Sequence, residues 1–279
     1  MSGRAENGNG KYLYAIIADI EDRRFGDFGM EGGVVYTISN GKVAAVVSDI
    51  PDRKIRPERR HLAVHQKVLK VLMERNTPLP MTFGIIADGP KEIRKILLLN
   101  QKAFLEQLKR VENKVEMGLR VTWDVPNIFE FFVHTHPELR DARDRLLGSY
   151  RVPTQEDKIE VGRMFERFLT EDRGTHIERV EEILAPHCFE IKNTRQKSER
   201  EVMNLACLVG RNAQGEFEAV IFEAARLFDN NFSFDYSGPW APHNFAEIEL
   251  KYRGLKLFSH RDHRIVRRGF CLKRVQIRC

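Results

Sequence analysis

No run of apolar residues in this 279-residue chain approaches the ~18 needed to cross a bilayer as a helix, and the opening MSGRAENGNG has no hydrophobic signal core. The expected location is the cytoplasm. Cysteine is scarce: the four, at 188, 207, 271 and 279, form no CxxC pair, which argues against both a zinc ribbon and a disulfide-stapled secreted fold. GxxxxGK[ST], GxGxxG and GxSxG are also missing, so phosphate-cradle, dinucleotide and hydrolase-elbow chemistry have no anchor. Glycines 26, 29, 32 and 33 cluster, but in a charged loop with no helix N-terminus directly behind them. Acidic residues fall at solvated helix positions. No catalytic, cofactor-binding or metal residue is assigned.

Excess positive charge is missing from most of the chain as well. The formal charge is +6, yet residues 251–279 hold ten Lys and Arg against Asp262, a net of +9, leaving −3 for residues 1–250. Neither AIIAD nor VAAVVSDI offers the Lys/Arg-Gly-Phe/Tyr context of an RNA-recognition domain. A nucleic-acid-binding protein using the basic tail is therefore the alternative reading, since such a tail can hold phosphate backbones without sequence preference. It suits an acidic protein surface equally well.

What is present is a chain long enough for two packed domains, 42% hydrophobic. The first strand is read at YLYAIIAD from Tyr12, followed by the loop EDRRFGDFGMEGG. VVYTI and VAAVVSDI flank Ser39-Asn40-Gly41-Lys42, a strong hairpin signal. From Glu58 to Arg75 there is no Gly or Pro, and Leu62, Val68, Leu69, Leu72 and Met73 share one helical side with His61 and His65. Pro78 and Pro80 close that helix, and Met81, Phe83, Ile85 and Ile86 read as a strand. A second helix is expected from Lys91 to Glu112.

The histidines have the i, i+4 spacing of a metal pair, but they lie among apolar residues, and position 62 is Leu where an HExxH site needs Glu. Hydrogen-bonded core histidines are expected instead. Further on come a strand near Val115 and helical pieces over 126–153. A helix follows from Thr154, with Asp157 three residues on and a break near Gly174. Strands FEIK and VMNLACLV, a helix over 217–228, and strands FSFDY and FAEIEL complete the body.

The reading is α+β with two domains: an N-terminal ferredoxin-like sheet with helices on one face over 11–112, and an α+β domain over 113–250. A flexible 1–10 and the basic tail 251–279 flank them.

Three stretches together resemble the gas vesicle protein GvpF/GvpL family: HLAVHQKVLKVLMERNTPLPMTFGIIA from His61, Lys114-Val115-Glu116-Met117-Gly118, and the stretch from Tyr236 to Phe245, YSGPWAPHNF. They stand in the family's order between Tyr12 and Leu250. The resemblance implies a non-enzymatic minor component or assembly factor of gas vesicles, the protein-walled buoyancy compartments. Its partners would be the hydrophobic shell protein GvpA and other accessory proteins, with no membrane, cofactor or catalytic residue involved. The basic tail departs from the pattern, because family members commonly finish soon after a strand like FAEIEL.

An assembly factor for an apolar subunit needs rigidly held apolar surface or a sheet edge. The candidate contact residues are Trp240 with Pro239 and Pro242, whose loop restricts the backbone around the indole, and Phe25 with Phe28 in the glycine-rich loop.

Overall fold

The computed structural model describes residues 10–19, 21–51, 55–148, 152–248, 250–251, 256–257 and 275–278. The expected flexible N-terminus, apart from Gly10, and most of the basic tail lie outside them. The chain divides into two compact units: Met1–Glu116 with Gly238–Leu272, and Met117–Ser237 with Lys273–Cys279.

In the first unit, β1 (Gly10–Ile17) is central to the sheet, and every one of its residues is buried. It is followed by β2 (Arg24–Gly26), β3 (Val35–Ser39) and β4 (Ala44–Ile50). The β3–β4 hairpin forms where Asn-Gly marked it. Gly41 takes φ 84°, and Asn40 Oδ1 accepts the Lys42 and Val43 amides, both at 3.1 Å. Helix α1 (Arg59–Met73) buries His61, His65, Val68, Leu69, Leu72 and Met73, as the helical period predicts.

Then come β5 (Leu79–Pro80), β6 (Ile85–Ala87), α2 (Pro90–Leu99) and α3 (Gln101–Val111). With β11 (Lys256–Leu257) at its border, the sheet runs β11-β6-β1-β4-β3-β2, and β5 also pairs with β1. The described pairings are all antiparallel. The last strand of the core, β6, returns beside the first, as in a ferredoxin-like sheet, but the described residues between β1 and β3 hold the short strand β2 where the first crossover helix would stand.

The expected helix over 91–112 is two helices. Asn100 at the junction takes φ −111°, and its amide donates to Ile96 O at 2.9 Å, competing with the helical ladder. Its Oδ1 accepts the Lys251 amide at 2.8 Å.

The second unit is built around β7 (Lys114–Trp123), α4 (Ile128–Thr135), α5 (Pro137–Gly148), α6 (Gln155–Leu184), β8 (Glu190–Asn193), β9 (Glu201–Gly210), α7 (Gln214–Ala225), β10 (Phe232–Trp240) and β12 (Val275–Arg278), although β7 and β10 each begin or end in the first. The strands are ordered β12-β10-β7-β9-β8. Thr154 and Asp157 make both bonds of a capping box, so α6 starts where the sequence placed it. It does not break at Gly174. One glycine costs a helix only ~1 kcal/mol, and packing of Val161, Phe165, Leu169, Val180 and Leu184 outweighs it.

No strand forms at the described residues of FAEIEL, 245–248 and 250. Pro242 O accepts the amides of Phe245 at 3.3 Å and Ala246 at 3.0 Å, curling the chain into a turn. Residues 238–250 group with the first unit, whereas the sequence put them in a domain of 113–250. The physical reason is a set of long-range bonds inside that unit: Glu116 accepts both the backbone amide of Asn244, at 2.7 Å, and its side chain, and Gln107 accepts the Glu247 amide. Phe245 is fully buried.

Candidate partner-contact surface

Two short segments of the first unit carry the residues singled out from sequence, and α1 relates them. The loop 27–33 folds back on the sheet. Met30 is fully buried, and its amide donates to Tyr14 Oη at 2.7 Å. A Cβ on Gly29 would stand 2.7 Å from Gly33 O and 2.8 Å from Ser48 Cβ, so only glycine permits this approach to β4. Phe28 is half-buried with Lys67 Nζ 5.6 Å from its ring centroid. Phe25, also half-buried, sits at a register shift on β2, the border strand of the sheet. The Arg24–Asp27 ion pair beside it charges that border.

The second segment is the end of β10 and the turn after it. Trp240 is half-buried at its end, Pro239 is exposed, and Ala241, Pro242 and Phe245 are buried. Pro242 therefore faces the interior and does not present itself to a partner. Its role is the turn that carries Phe245 inward.

His243 of this segment lies close enough to His65 to act on its charge, whereas Phe28 meets Lys67. Positions 65 and 67 point ~200° apart around a helix, so these two contacts engage different sides of α1.

His65 is fully enclosed. Its Nδ1 is 3.0 Å from Tyr12 Oη, and its ring sits within 6 Å of Tyr12, Tyr14 and Phe83. Burial, reinforced by His243, lowers its pKa from 6.5 to about 3, so the ring is neutral. His61 Nδ1 is instead 2.8 Å from Arg56 O. The two rings are engaged with different partners, and among the described residues no group of three His, Cys, Asp or Glu is placed to hold a metal.

The sequence reading missed the largest exposed apolar positions. Leu98 is 68% and Leu99 52% exposed at the elbow between α2 and α3, with Leu105 partly exposed beyond it. Ile96-Leu97-Leu98-Leu99 carried the signal, because four consecutive apolar residues span too much of a helix to be covered from one side. In the second unit Leu147, Val152 and Phe189 are exposed. An open groove there is lined by Glu138, Asp141, Asp144, Arg145, Gly148 and Met164, a predominantly acidic set. No helix among the described residues is long and apolar enough to cross a membrane.

The family described as gas vesicle synthesis protein GvpL/GvpF matches residues 10–247. Gas vesicle protein F of Dolichospermum flosaquae is 24% identical over 241 residues, covering 85% of this chain and 98% of that protein. The protein of the same name from a Streptomyces species is 26% identical over 241 residues, covering 85% and 99%. The crystal structure of gas vesicle protein GvpF from Anabaena is similar at a TM-score of 0.75, with 23% identity over 86% of this chain and 99% of the other, which shows a shared fold.

Proposed function

Because the chain belongs to the gas vesicle synthesis protein GvpL/GvpF family, we propose that it is a non-enzymatic minor structural or assembly protein of gas vesicles, acting at the vesicle within the cytoplasm. It helps nucleate or build the GvpA shell through protein–protein contacts, alongside other accessory proteins. The family match over residues 10–247 is the observation that carries this reading.

The physical support is the kind of surface on offer. A factor that handles an apolar, aggregation-prone subunit must present apolar groups without collapsing onto itself, and this requires a rigid frame beneath them. Leu98 and Leu99 meet that condition, standing on a helical elbow fixed by the buried Asn100. Trp240 with Pro239, and Phe25 with Phe28, are the other contact candidates.

Co-purification with intact vesicles and direct binding to GvpA test the proposal. Undisturbed vesicle formation in cells lacking the protein would count decisively against it.

A further inference from the structure

The matched family region ends at residue 247, so β12 lies beyond it. Strand β12 nevertheless pairs antiparallel with β10, placing Val275 opposite Tyr236, Gln276 opposite Asp235, Ile277 opposite Phe234 and Arg278 opposite Ser233. Phe234 and Tyr236 are buried, while Asp235 is half-buried and ion-paired with Arg120. Apolar residues thus stand in register with the two aromatics, and polar residues with Asp235 and Ser233. A slip of one residue would set Gln276 and Arg278 against the aromatics, so this edge specifies register as well as strand.

The four strands β10-β7-β9-β8 form a continuous sheet without β12. A four-residue strand adds only a few backbone hydrogen bonds, each of modest net worth against water. Its hold on β10 then depends on being tethered to the same chain, which keeps its effective concentration high. An unpaired edge in this position would be a template for another strand. The same extension adds a second short border strand, β11, to β6 in the other sheet.

We propose that the outer edge of β10, Ser233–Tyr236, is a strand-acceptor site for an extended segment with apolar residues at alternate positions, and that Val275–Arg278 is its exchangeable occupant in cis. The inference is independent of the gas vesicle reading. It makes the extension a competitor that another strand must displace.

The test uses the full chain carrying Gln276→Pro and Ile277→Pro, which removes two successive donors from β12. Amide exchange at alternate residues of Ser233–Tyr236 is expected to accelerate at least tenfold, with the intervening residues, held by β7, unchanged. A labelled peptide KRVQIRS, copying residues 273–279 with Ser in place of Cys279, should bind this variant at least tenfold more tightly than the unaltered chain. Unchanged exchange, or equal peptide binding by both chains, overturns the proposal. Should the proline variant not fold, a chain with Ser233→Cys, Arg278→Cys, Cys271→Ser and Cys279→Ser decides the matter. Its oxidised, clamped form should bind the peptide at least tenfold more weakly than its reduced form, and equal binding overturns the proposal.

Discussion

Tyr12 of β1 and His65 of α1 are joined by a buried hydrogen bond of 3.0 Å between Tyr12 Oη and His65 Nδ1. The Gly84 amide donates to the same hydroxyl at 3.2 Å. One phenol thereby fixes a strand, a helix and the turn before β6. Tyr14 acts similarly two residues on, taking the Met30 amide at 2.7 Å and pairing with Ser48 Oγ at 2.7 Å.

Tyr12→Phe removes the shared hydroxyl and leaves Gly84 N–H and His65 Nδ1 buried without it. The expected loss is ~1–3 kcal/mol of stability, measured by denaturant unfolding. A loss below ~0.5 kcal/mol would mean that the bond is not a structural tie.

The enclosed His65 also makes the first unit sensitive to acid. Its pKa falls from 6.5 to about 3 because burial, and then the neighbouring His243, disfavour the charged ring. Between those values the unfolded chain binds the proton and the folded chain does not. The stabilising contribution is therefore complete above the unfolded pKa of ~6.5 and is lost as pH falls towards the folded pKa, at up to ~1.4 kcal/mol per pH unit. An NMR titration should find the His65 ring resonances flat from pH 8 to 4.5. A midpoint above pH 5.5 refutes the assignment.

Glu116→Ala deletes the acceptor of both Asn244 bonds while leaving β7 in place. Residues 241–251 should become at least tenfold more susceptible to limited proteolysis, while far-UV circular dichroism changes little. Unaltered cleavage would show that Phe245 burial alone holds the segment.

Gly174 lies inside α6, and a Cβ there would meet no atom within 4 Å. Gly174→Ala should stabilise the protein by ~0.5–1 kcal/mol through helix propensity. A decrease in the denaturation midpoint would reveal a hidden use for the glycine.

The two tryptophans should separate scaffold from surface. Trp123 is 1% exposed and packs on Phe132 and Phe232, so Trp123→Ala should cost ~3–5 kcal/mol. Trp240→Ala should cost under half of that and, under the proposed contact role, reduce GvpA binding at least fivefold in a pull-down. Leu98→Ser with Leu99→Ser should leave the unfolding free energy within ~0.5 kcal/mol and tests the elbow in the same assay. Normal binding by both variants would move the search to Phe25 and Phe28.

The chain's family was legible before its geometry, because the resemblance rests on ordered local blocks. The hairpin, α1 and the start of α6 were legible for a related reason. Asn-Gly, the apolar stripe through Val68, Leu69 and Leu72, and the Thr154–Asp157 box each act over a few residues, and a local signal needs no knowledge of the partner element. The elbow at Asn100 was less visible, since the amide that closes it belongs to Lys251, 151 residues away.

The contact surface was legible only in part. Pro239, Trp240 and Pro242 look equivalent in a loop sequence, but the turn made by Pro242 buries one proline and leaves the other exposed. Sequence by itself determined the alternating strands, the helical stripes, their caps and the turn chemistry, all consequences of backbone period and side-chain type. Tertiary structure alone decided that the segment after β10 returns to Glu116, that Leu98 and Leu99 stay uncovered, and that Pro242 is buried while Pro239 is exposed. Each of those outcomes depends on which distant group covers a surface, and coverage is a property of packing that local sequence does not encode.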